Sequence, residues 1–144
     1  MDETYTGRKL HRMAGGRLCG VEVTVRAEPS SRPTEVTVSA EADAALRRAF
    51  GADHEPHRYT VRWAVLAQIG MANGAGEMPH VGAACFRAEV VRVAVLGMPD
   101  RETALALLAA AGMNAIRDYL IAFEEDAGAN PTCRPGGASG SSPG

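Results

Sequence analysis

This chain has almost no lysine, few aromatic residues and no cysteine pattern. Lys9 is the sole lysine among 15 Lys and Arg residues, and aromatics make up 5% of 144 residues. A core must therefore be built from Val, Leu, Ala, Ile and Met, and aromatic platforms for stacking single-stranded bases are disfavoured. Cys19, Cys85 and Cys133 lie far apart. An odd, scattered count does not suggest a disulfide framework and fits reduced thiols in the cytoplasm. No apolar run of membrane-spanning length stands out, and the N-terminal stretch MDETYTGRKLHR lacks the apolar segment of a signal peptide. The expectation is a cytoplasmic chain without a membrane partner. A net charge of −2 and a pI near 6.1 leave no global basic field. G-x-x-x-x-G-K-[ST] does not occur, which removes the common nucleotide-loop signature.

The length suits one domain. Residues 1–16 read as a flexible basic leader, 17–126 as a single folded unit and 127–144 as a disordered Gly/Ser/Pro tail. LCGVEVTVRAE (18–28) and TEVTVSA (34–40) alternate apolar and polar residues as strands do, and the short PSSRP link between them predicts an antiparallel hairpin. EADAALRRAF (41–50) predicts a short helix. HRYTVRWAVLAQIGMAN (57–73) is favoured as a helix by its length, with Tyr59, Trp63, Leu66 and Ile69 or Gly70 at helical spacing; a strand over 58–66 is the alternative. CFRAEVVRVAVLG (85–97) is the strongest strand, with Glu89 and Arg92 expected on opposite faces. From residue 101 a long helix follows, capped by Asp100, with Leu105, Leu108, Ala109 or Gly112, Ile116 and Leu120 as its buried stripe. The order of elements predicts an α+β fold, a mostly antiparallel sheet with helices on one face.

Strand, Gly97, helix is also the layout of phosphate loops. GMPDRET offers one glycine and no lysine, and Asp100 puts negative charge where a phosphate would sit. A capped strand-to-helix turn is the better reading. His54 and His57 in HEPH, with His80 and Cys85, form the one candidate metal or small-molecule set, although the spacing matches no zinc pattern and ordinary surface histidines are commoner. Cys85 beside His80 is the one candidate thiol nucleophile, against a structural cysteine as the ordinary reading. No cofactor is implied. Arg8, Lys9, Arg12 and Arg17 cluster in GRKLHRMAGGR (7–17), where they suit phosphate contact.

One family resemblance runs through 14–122. AGGRLCGVEVTVRAEP (14–29) resembles the first strand of domain IV of elongation factor G, and PHRYTVRWAVLAQIGMANG (56–74) its first helix. AEVVRVAVLG (88–97) and RETALALLAAAGMNAIRDYL (101–120) are similar to its third main strand and last helix. The resemblance implies an α+β sandwich with a left-handed crossover, and contact with the ribosome or RNA. It adds Arg58 and Arg62 to the cationic candidates and implies no catalytic residues. GMPDRET is shorter than the family's tip loop and lacks its His and Ser, SAEADAALRRAFGADHE replaces a Gly-Gly segment, and no GTPase module is present. The functional expectation is a non-catalytic module. A small enzyme or metal-binding protein using His54, His57, His80 and Cys85 is the alternative.

Overall fold

The computed structural model describes residues 3–97 and 99–129. Strands β1 (Thr4–Arg12), β2 (Leu18–Ser30) and β3 (Glu35–Val38) are followed by helices α1 (Ala40–Phe50), α2 (His54–Ala75) and the short α3 (Pro79–Gly82). Strand β4 (Cys85–Leu96) and helix α4 (Arg101–Ala129) complete the α+β fold. The sheet order is β1-β2-β4-β3, with β1–β2 and β2–β4 antiparallel and β3–β4 parallel. Helix α4 lies across β1 and β2, α1 packs on β4, and α2 runs along α4 and reaches β3.

The segment expected to be a flexible leader is β1. Thr4 pairs with Arg26 and Arg12 with Leu18, nine residues in continuous register. The Met13–Arg17 turn closes through Met13 N–H to Arg17 O (2.7 Å) and Gly16 N–H to Met13 O (2.9 Å). Gly15 and Gly16 take φ of 90° and 88°, a region that glycine enters without steric cost. Gly7 then lets β1 approach α4: a Cβ there would lie 2.1 Å from Ala111 O.

The expected hairpin between the second and third strands does not form. β2 and β3 run in opposite directions, as hairpin strands would, but β4 lies between them and pairs with both. Two strand spacings come to about 10 Å, which residues 31–34 span in extended form. Thr34 Oγ1 accepts from Phe86 N–H at 3.0 Å and ties that link to β4. The central place goes to the strand with apolar residues to bury along its whole length.

A register shift between Thr24 and Val25 leaves Val91 as the extra residue of β4. Phe86, Ala88 and Val90 point into the core before it, and Val93 after it. Glu89 and Arg92 therefore share the open face of the sheet, contrary to the alternation read from sequence. One added residue reverses the parity of a strand.

α1 begins at Ala40, one residue before the expected stretch, and Ser39, read from the sequence as part of a strand, is its cap. Ser39 Oγ accepts from Ala42 N–H at 3.0 Å, acidic Glu41 and Asp43 stand in the first turn, and basic Arg47 and Arg48 in the last. α2 contains all of 57–73 as helix, but its buried face is Val61, Ala64, Val65, Ile69 and Ala72, with His54 and His57. Tyr59 and Trp63, placed in the apolar stripe by the sequence, face outward. Helix α4 runs to Ala129, beyond Gly128 and into the segment expected to be disordered; residues 130–144 of that tail lie outside the described residues. Its buried face is broader than one stripe. Leu107, Ala111, Ala115 and Tyr119 join Leu108, Gly112, Ile116 and Leu120, because the sheet and α2 both press on it. With a stretch of mean hydropathy 1.3, α4 is long and apolar enough to cross a membrane, which the sequence reading overlooked; half of that stretch is buried within the domain.

Candidate nucleic-acid interface

The hairpin of β1 and β2 projects its cations at one end of the sheet. Alternation along β1 sends Arg8, Leu10 and Arg12 to the open face, because Gly7 on the other face meets α4. Lys9 and His11 follow Gly7 on the helix side. Arg8 pairs across the strands with Glu22. Arg12 donates to Gly16 O at 2.8 Å, and Arg17 lies 3.8 Å from Met13 Sδ. Among the described residues, Lys9, Arg12 and Arg17 have no carboxylate at ion-pair distance. Arg92 shares the open face, opposite Thr24 and exposed, and is likewise without a carboxylate partner. The bulge that turns Arg92 outward has no local sequence signal, so strict alternation missed it.

The loop from β4 to α4 borders this end. Gly97 has φ 75°, and a Cβ there would lie 3.0 Å from Leu18 O in the hairpin. Asp100 caps α4 by accepting from Thr103 N–H at 2.7 Å. That hydrogen bond holds the Asp100 carboxyl below its ordinary value, and His11 close by acts in the same direction. A carboxylate already occupies the positive helix end, so the capped-turn reading stands over the phosphate loop.

The six cationic candidates do not form one surface. Arg8, Lys9, Arg12 and Arg17 share the hairpin. Arg58 and Arg62 lie on α2, at the β3 side of the sheet: Arg58 Nε is 3.3 Å from Asp43 Oδ1, and Arg62 Nε donates to Val36 O at 2.7 Å. Arg62 shields the free edge of the four-residue β3. These two are structural contacts, a correction to the expected set.

The proposed His/Cys set also separates. His54 and His57 begin α2, whereas His80 and Cys85 follow its far end, about 30 Å away for a helix of this length. Among the described residues no group of three His, Cys, Asp or Glu side chains is placed to hold a metal ion. Cys85 is exposed, and the buried structural thiol is Cys19. The two histidines are core residues rather than surface ones, 6% and 2% exposed. His54 Nε2 lies 3.5 Å from Asp43 Oδ1. The His57 ring stacks on Phe50 at 3.9 Å, with Nδ1 3.2 Å from Asp53 O.

Glu124, on α4, caps the turn at α3. Its Oε1 accepts from His80 and Val81 N–H, both at 2.9 Å, and its Oε2 lies 2.7 Å from His80 Nδ1. Burial by itself pushes the Glu124 carboxyl up, but the hydrogen bonds from His80 and Val81 outweigh it and hold the group below 4.5. Burial drives His57 below 6.5, against the pull of the Asp53 carbonyl and with Arg101 and His54 adding to the effect. Both folded values are lowered, so in each case the unfolded chain takes up the proton first and stability is lost as pH falls. Stability is expected to drop below pH 6.5 through His57 and again below pH 4.5 through Glu124. Melting temperatures across the acid range check this. His57→Phe should flatten the first drop and Glu124→Gln the second; variant profiles that superpose on wild type would refute the assignments.

The chain matches no protein-family model, no curated protein and no solved structure at a significant level.

Proposed function

We propose that this protein is a cytoplasmic, non-catalytic binding module, similar in plan to domain IV of elongation factor G, which contacts the ribosome or another RNA through its hairpin end. The observation that carries the reading is the cluster Arg8, Lys9, Arg12 and Arg17 on one hairpin, in a chain whose net charge is −2. Glu22 offsets only the first of the four. A local basic projection on an otherwise acidic protein suits phosphate contact, where cations release the counterions condensed on the nucleic acid. Arg92 extends the surface along the open sheet. Support also comes from the Gly-Gly-Arg stretch leading into the Val-rich β2, and from the strand–helix order that follows it.

Such contacts weaken steeply with salt. The protein is expected to co-sediment with ribosomes at low ionic strength and to be released at moderate ionic strength. The double variant Arg12→Glu and Arg17→Glu should abolish co-sedimentation while leaving the melting temperature near wild type, because both side chains are exposed. Arg58→Gln, on the other edge of the sheet, should bind as wild type does. No co-sedimentation at any salt, or binding indifferent to the hairpin double variant, would remove the proposal.

A further inference from the structure

The two edges of the sheet differ. β3 is four residues long, and Arg62 occupies its Val36 carbonyl. β1 is nine residues long, with no proline and an unbroken register to β2. Among the described residues its backbone pairs with β2 alone. Met13 N–H bonds to Arg17 O in that same register, so the odd-numbered residues of β1 exchange hydrogen bonds with β2. The N–H and C=O groups of Thr4, Thr6, Arg8, Leu10 and Arg12 therefore point away from β2, along an open edge. All five residues are exposed. An unpaired edge of this length is a template for a further strand.

Charge along β1 selects the strand that fits. On the helix side Tyr5 stands at one end, and Lys9 and His11 stand exposed at the other. Glu3, Asp118 and Asp126 gather round Tyr5. Its Oη donates to Glu3 Oε1 at 3.2 Å, and burial, then Glu3, Asp126 and Asp118, hold the hydroxyl above 10.0. Among the described residues Asp118 and Asp126 make no ion pair, and Lys9 has no carboxylate partner. One face of the strand is thus acidic at its start and basic at its end. A second β1 laid antiparallel sets each end on its opposite, whereas a parallel one sets like on like. Pairing across a two-fold axis normal to the sheet matches residues of the same face. Centred on Gly7, it sets Lys9 opposite the partner's Tyr5 and His11 opposite the partner's Glu3. Thr6 then exchanges its open hydrogen bonds with the partner's Arg8, and Thr4 with the partner's Leu10. Lys9 and Tyr5 form the close, non-hydrogen-bonded kind of pair, with Cα atoms about 4.5 Å apart. That carries the ammonium group to the partner's acidic cluster. Centring on Arg8 would instead oppose it to the partner's Arg8, like charge on like. Centring on Thr6 would shorten the ladder.

We propose that the protein self-associates through β1 as an antiparallel two-fold dimer centred on Gly7, joining two four-stranded sheets edge to edge. A ladder this short buries less than the roughly 800 Å² per partner of a standard interface, so the dimer dissociates on dilution. Arg12 and Arg17 lie beyond the paired residues 4–10 and stay free at the two hairpin tips. The inference does not rest on RNA binding, and its test uses no RNA.

Sedimentation equilibrium over a concentration series, read beside amide exchange by NMR, tests this on the full chain. Wild type should pass from monomer to dimer in the micromolar range. Over the same range the Thr4, Thr6, Arg8 and Leu10 amides should change from fast exchange to protected. Lys9→Glu sets a carboxylate beside the partner's Glu3 and Asp118. It should weaken the dimer by about tenfold or more, a change of at least about 1.4 kcal/mol. Lys9 is exposed, so the dilute variant should melt as wild type does. Thr6→Pro removes an outward N–H while sparing the ladder to β2, and should weaken the dimer too. Wild type that stays monomeric at every concentration overturns the proposal. So does a dimer that leaves those four amides unprotected, or one that Lys9→Glu does not weaken.

Discussion

Leu108→Asp is expected to leave a chain with no cooperative melting transition. Leu108 is fully buried on α4, the helix that meets β1, β2 and α2 at once. Losing the leucine removes about 2 kcal/mol of apolar burial. The carboxyl that replaces it would be taken from water into the apolar core, which costs several kcal/mol more whether it ionises or binds a proton. A domain of this size has about 5–15 kcal/mol to lose. Circular dichroism on heating is the check. Leu108→Met, which keeps the volume, should stay within about 1.5 kcal/mol of wild type and melt cooperatively. An aspartate variant melting within a few degrees of wild type would contradict the packing described for α4.

Gly7→Ala is expected to destabilise the protein by about 2–3 kcal/mol, the upper range for overpacking. Alanine in place of an unstrained glycine commonly stabilises by a few tenths of a kcal/mol, so the sign itself is diagnostic. The added Cβ would lie 2.1 Å from Ala111 O and 2.6 Å from Ala115 N, both backbone atoms of α4 that cannot rotate aside. β1 must lift off the helix, which also opens the edge contact between Tyr5 and Tyr119, whose ring centroids are 5.7 Å apart. At roughly 3–6 °C per kcal/mol for this length, the melting temperature should fall by about 10 °C. Amide exchange should be fastest along β1. A melting temperature equal to or above wild type would show that β1 is not docked on α4. Since β1 carries three of the hairpin cations, this variant should also lose affinity in the ribosome assay, although no charge has changed.

The candidate interface was legible where its residues are neighbours in sequence. Arg8, Lys9, Arg12 and Arg17 lie within eleven consecutive residues, 7–17, and any compact turn there brings them together. The strand carrying three of them was missed, although Thr4, Tyr5 and Thr6 favour extended backbone and the Gly-Gly pair marks a turn. The surrounding charges hid that signal, because one face of β1 lies open to solvent. Arg58 and Arg62 came from a likeness between segments, and such a likeness says nothing about what each guanidinium touches. Asp43 and the Val36 carbonyl, which hold them, belong to other elements.

By itself the sequence determined the features that one element decides locally. The alternating valines make β2 a strand, the apolar run makes β4 one, Asp100 starts α4, and the length of 57–73 makes it a helix. Each depends on residues within one or two turns or pleats of one another. Only the tertiary structure decided that β4 lies between β2 and β3, that Val91 reverses the parity of its strand, and that Gly7 seats β1 on α4. It also decided that α2 buries His54 and His57 while showing Trp63 to solvent. The reason is physical: α2 has enough apolar surface on two sides to offer either one, and the choice falls to whichever side α4 and β3 fill more closely.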